Sequence, residues 1–137
     1  FNNFYVTAGQ LAAGTGLTIN APAGSTVVVN VDGSAADFDN QGIFLNGVDK
    51  QRVLYNFSNA STLGISGIGV LGSLLAPRAD VNFGYGNIDG TLMAYNLTGP
   101  GESHHFPFLG ELPPIVPEPS SLALLCLGTL GLLRRSR

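Results

Sequence analysis

The residues best equipped for chemistry lie close together before a proline-rich stretch: Glu102, His104 and His105. In an extended segment successive side chains alternate, so Glu102 and His104 share one face and His105 takes the other. A carboxylate and an imidazole on one face can begin a zinc or calcium site. A third ligand must come from elsewhere, and the chain has no histidine outside this pair. Glu102 and His104 therefore read as a hydrogen-bonded structural clasp closing the domain, with a weak metal site as the alternative. No metal or cofactor is assigned.

Other candidates are weaker still. Asp32, Asp37, Asp39, Asp80 and Asp89 offer carboxylates for polysaccharide hydrolysis or lyase chemistry. The basic residue a lyase needs has to be Lys50, Arg52 or Arg78, and no spacing pairs these with the acids. Asp beside Gly or Asn is usually a turn residue. Arg78, after Ala76-Pro77, reads as a solvated turn arginine rather than a contact for acidic sugars. No Ser-His-Asp order, phosphate-binding loop or Cys-x-x-Cys pair is present. The matches to the glycosylation sequon at Asn56, Asn59 and Asn96 are read as incidental. The chain is expected not to be an enzyme.

The elements that must position these residues are strands. Charged residues are 11% of the chain and Gly numbers 19. A helical bundle needs more charge on its wet faces, whereas short strands joined by tight turns suit this composition. Strands are predicted over residues 25–31, 42–47 and 52–57, each bounded by turn residues. Residues 61–75 mix aliphatics with Gly64, Gly67, Gly69 and Gly72.

A repeat runs through the second half. Val70-Leu71-Gly72-Ser73-Leu74-Leu75-Ala76 aligns with Ile88-Asp89-Gly90-Thr91-Leu92-Met93-Ala94 at an offset of 18. A looser echo links residues 54–58 to 94–98. Such an offset suits one rung of a β-solenoid, whose equivalent aliphatics stack in interior columns about 4.8 Å apart. Glycine would serve the corners, and asparagines at turns can stack into amide ladders. Two units do not establish a solenoid, and a β-sandwich remains the alternative.

Charge divides the chain. The net charge is −3, with Glu118 against Arg134, Arg135 and Arg137 giving +2 after residue 116 and leaving −5 before it. So acidic a body is a poor phosphate binder, and nucleic acid is not an expected partner. The only cysteine, Cys126, lies in the apolar tail as a filler, so the body has neither disulfide nor thiol. Three zones result: a body over residues 1–111, a proline-stiffened linker over 112–116, and a tail over 117–137.

The tail opens with Pro117-Glu118-Pro119. Two serines follow, then the uncharged run Leu122 to Leu133, and Arg134-Arg135-Ser136-Arg137 ends it. A helix over residues 120–133 would be about 21 Å long, short of a bilayer core of roughly 30 Å. The arginines can snorkel, and their placement predicts a cytoplasmic C-terminal end with the body across the inner membrane. In order and position these parts resemble the PEP-CTERM sorting signal. The resemblance implies export, processing by an exosortase near Pro117–Pro119, and delivery to the cell surface or an exopolysaccharide matrix.

The body also has a resemblance, covering about Val27 to Pro113. It rests on residues 53–57, residues 72–77 with Ala79, residues 86–90, residues 101–104, and Phe106-Pro107-Phe108-Leu109-Gly110. These resemble the choice-of-anchor A family, an adhesive domain carried on many kinds of surface anchor. The resemblance implies a right-handed β-helix-like fold and suggests that the family's N-terminal part, upstream of roughly Leu11, is missing here. The leading expectation is an exported, non-enzymatic adhesin for a surface or matrix glycan. The alternatives are a purely structural matrix component and a polysaccharide-modifying enzyme. Ice binding would want regular Thr-x-Thr columns, which the sequence lacks.

Overall fold

A computed structural model describes residues 1–114. Twelve strands, one short α-helix and a single 3-10 turn, Lys50–Arg52, occur among them. β1 (Asn2–Thr7), α1 (Ala8–Ala13) and β2 (Gly16–Asn20) are followed by β3 (Val27–Asp32), β4 (Ala35–Asp39) and β5 (Gly42–Asn46). Then come β6 (Val53–Asn56), β7 (Thr62–Ser66), β8 (Ile68–Leu71), β9 (Ser73–Phe83), β10 (Gly86–Asp89), β11 (Leu92–Thr98) and β12 (Glu102–His104).

Every strand pair is parallel, which excludes the antiparallel β-sandwich. The chain coils as a β-solenoid. Its rungs are β1-α1-β2, β3-β4-β5, β6-β7-β8, β9-β10 and β11-β12. One side stacks β1, β3, β6, the start of β9 and the start of β11. A second stacks β4, β7 and the later parts of β9 and β11, with α1 packed beside β4. A third holds the β2–β5 pair and the β8–β10–β12 ladder.

The repeat seen in sequence is real stacking. Val70 pairs with Ile88, Leu74 with Leu92, and Ala76 with Ala94. The looser echo is not: Tyr55 stacks on Leu74, whereas Tyr95 falls at a register break between Ala94 and Asn96. Two further repeats escaped the sequence reading. Val27-Val28-Val29-Asn30 lies on Val53-Leu54-Tyr55-Asn56, and Gly16-Leu17-Thr18-Ile19-Asn20 on Gly42-Ile43-Phe44-Leu45-Asn46.

Alternation sends one residue in two inward, and the inward residues are aliphatic or aromatic. Val29, Tyr55 and Leu74 form one buried column, Phe38, Ile65 and Phe83 another, Val70 and Ile88 a third. Phe38 also packs on Tyr55 and Phe57, with ring centroids 5.3 and 6.0 Å apart. Each such side chain contributes roughly 1.5–3 kcal/mol by leaving water. Tyr55 is fully buried, and its hydroxyl donates to Leu71 O at 3.2 Å. Burial pushes its phenol well above the ordinary tyrosine range, so it stays neutral.

The corners explain the glycines. At Gly72, φ is +135°, a region open chiefly to glycine. The next rung brings Gly90 so close that a Cβ there would lie 2.1 Å from Gly72 O. Amide ladders form too, on the strands rather than at turns. Asn56 donates to Asn30 at 2.8 Å, and Asn30 to Asn3 at 2.6 Å.

Among the described residues no helix is long and apolar enough to cross a membrane. The helix expected over residues 120–133 lies outside the described residues, as do Pro117, Glu118, Pro119 and the cluster Arg134, Arg135 and Arg137.

Candidate functional site

Glu102 and His104 stand on β12, the last strand of the third side. Asn87 pairs with Glu102 and Asp89 with His104, so the two outward positions of β10 meet the two of β12. His104 Nδ1 lies 2.7 Å from Asp89 Oδ1, and Nε2 lies 3.6 Å from Glu102 Oε2. Lys50, from the turn between β5 and β6, donates to Asp89 Oδ2 at 2.6 Å. Asn87 donates to Asp89 Oδ1 at 2.9 Å. The hydrogen bond from Lys50 and then that from His104 hold the Asp89 carboxyl below the ordinary carboxylate range, against an opposing effect of partial burial.

This arrangement centres on Asp89, which the sequence reading took for a turn residue. Lys50 reaches it from the second rung, Asp89 belongs to the fourth and His104 to the fifth. With an ammonium on one oxygen and an imidazole and an amide on the other, Asp89 is engaged by protein donors. Among the described residues no group of three His, Cys, Asp or Glu side chains is placed to hold a metal ion.

From His104 the chain doubles back along the solenoid as a strap. The Lys50 ammonium sits 3.4 Å from the Phe106 ring centroid, a cation–π contact. Gln51 Nε2 donates to Pro107 O, and Leu109 N–H to Gln51 O at 2.7 Å. Glu111 N–H ends the strap on Thr26 Oγ1 at 2.9 Å, beside the start of β3.

The remaining acids are dispersed. Asp80 accepts from Asn96 at 2.6 Å, and Asp32 accepts from Asn59 at 3.2 Å. Asp37 and Asp39 point outward from β4, and Arg78 is exposed midway along β9. No outward column of the second side carries threonine on successive rungs: Ala35, Thr62, Asp80 and Asn96 make one, Asp37, Gly64, Asn82 and Thr98 a second, and Asp39 and Ser66 a third.

Two family models match this three-sided coil and its tail. Residues 1–105 match the family described as "Putative Ice-binding-like adhesive domain". The match spans well over half the chain, and the chain belongs to that family. It begins at residue 1, so β1 and β2 lie within it, upstream of where the sequence resemblance started. Residues 116–137 match the PEP-CTERM protein-sorting motif. No curated protein and no solved structure matches the chain. An adhesive-type domain with that motif defines an exported surface protein sorted by an exosortase-type system.

Proposed function

We propose that this protein is a non-enzymatic adhesin that holds matrix or surface glycans after release from the inner membrane. The observation that carries the reading is the union, on one chain, of an adhesive-family solenoid with a terminal sorting motif. The fold supports it physically. Parallel ladders fix outward side chains at a regular spacing, and many shallow polar contacts suit a polymer of hydroxyl groups. Right-handed winding, the sense of about 98% of parallel crossovers, belongs to this reading.

The tail completes the scheme. Residues 120–133 tether the precursor to the inner membrane, the terminal arginines stay cytoplasmic, and an exosortase cleaves near Pro117–Pro119. In the mature protein Glu102 and His104 act with Asp89 and Lys50 as the clasp that fastens the strap. Catalysis gains nothing from Asp32, Asp80 and Asp89, whose carboxylates are held by amides and a cation. Ice binding gains nothing from the outward columns described above.

Fractionation of cells producing the chain, with intact mass of the surface product, tests the sorting. A product ending near Pro117–Pro119 outside the inner membrane is expected. Retention of that product on exopolysaccharide from the same cells tests adhesion. A correctly sorted product that binds none of it would make the protein a structural matrix component instead.

A further inference from the structure

We propose that the groove where the first side meets the second binds a neutral saccharide. This specifies the ligand of the adhesive reading and rests on it. The groove holds about 400 Å³ and spans the first three rungs. Its walls include Tyr5 of β1, Gln10 of α1, Asp32 at the end of β3, and Asn56, Ser58 and Asn59 at and after the end of β6.

Gln10, Asp32, Asn59 and Tyr5 are each fixed at one end and open at the other. Gln10 Oε1 accepts from Thr7 N–H at 2.9 Å, leaving its amide Nε2 without a partner among the described residues. Asn59 Nδ2 donates to Asp32 Oδ1, leaving Asn59 Oδ1 and Asp32 Oδ2 as acceptors without a partner among the described residues. The Tyr5 oxygen accepts from Asn3 at 2.8 Å, so its own proton remains to be donated. Donors and acceptors thus converge already oriented, which lowers the ordering cost of binding. The Tyr5 ring is 75% exposed, a flat apolar surface on which the C–H face of a sugar ring can lie.

Charge narrows the class. The lining carries one carboxylate and no Lys, Arg or His. Sugar hydroxyls donate well to a carboxylate such as Asp32, whereas a uronate or phosphate would be repelled by it. The ligand is therefore a neutral glycan rather than an acidic one.

Calorimetry with the full chain and three probes, mannotriose, maltotriose and trigalacturonate, tests this. At least one neutral trisaccharide should bind and trigalacturonate should not. Tyr5→Ala and Asn59→Leu should each weaken that binding tenfold or more. Tyr5 is exposed, so its variant should keep the wild-type melting temperature. Tighter binding of trigalacturonate overturns the proposal. So does neutral binding that neither substitution changes, although the adhesive reading then survives with its site elsewhere. A wild-type chain that binds no trisaccharide and no exopolysaccharide removes both.

Discussion

At the residue scale, two polar arrangements differ in what they contribute. In the amide ladder Asn30 donates to Asn3 and Phe4 O and accepts from Asn56. Asn56 makes only that last bond, and its Oδ1 is buried without a partner because the next residue in its column is Leu75. Removing an unsatisfied acceptor offsets the bond lost with it. Asn30→Ala should cost about 1–2 kcal/mol and Asn56→Ala less than half as much, compared by urea unfolding. Asp89 carries the second arrangement. Its folded carboxyl is harder to protonate than the ordinary value of 3.8. Its contribution is therefore complete above that value and is lost as pH falls through the lowered one. Asp89→Asn should cost about 1–2 kcal/mol at neutral pH, the lower range applying because Lys50 and His104 are partly in water. The gap in melting temperature to wild type should begin to narrow below about pH 4 and close as pH falls through the lowered value. A gap that does not narrow as pH falls from about 4 would show that Asp89 acts through packing rather than charge. The sequence made Glu102 and His104 legible as a pair, because alternation along one strand needs no tertiary knowledge. That Asp89 and Lys50 join them was not legible, since their approach depends on which rungs lie beside each other.

At the element scale, the rungs shorten along the chain, and this decides what a repeat search can see. Asn2 pairs with Val27 and Val27 with Val53, offsets of 25 and 26. Leu54 then pairs with Ser73 and Leu74 with Leu92, offsets of 19 and 18. Asn87 pairs with Glu102 at only 15. An offset of 18 holds from β8 to β10 and from β9 to the start of β11, and there the sequence showed it. The earlier pairs share a Val-x-x-Asn and a Gly-x-x-x-Asn pattern at an offset of 26, which a second period would have found. The close approach at the corner makes a sharp test. Gly90→Ala would drive a methyl group into Gly72 O and part the third and fourth rungs. The expected loss is about 1–3 kcal/mol, with faster hydrogen exchange in β9 and β10 than in β3. Uniform exchange across all rungs would mean that the coil unfolds as one unit.

At the scale of the whole molecule, a solenoid leaves edges at its ends. β11 pairs only with β9, so the backbone groups along its other side have no strand partner among the described residues. Met93, Tyr95 and Leu97 on this strand are 58%, 72% and 57% exposed. Leu97 ends the column that begins with Ala36, Leu63 and Val81, so an interior apolar position opens here to water. The strand can template a further parallel strand, and stacking of one end upon another gives a contact that does not close. Concentration-dependent association is therefore expected, measured by light scattering of the full chain at fixed salt. Leu97→Lys should suppress it, because a charge at the edge must be desolvated before another strand can stack. The same substitution should change stability by no more than about 0.5 kcal/mol, since Leu97 is already exposed. Tyr85→Lys is the control: Tyr85 is 79% exposed but lies off this edge, so association should be unchanged. Equal suppression by both variants would trace the effect to net charge, and the β11 edge would then have no special part in it.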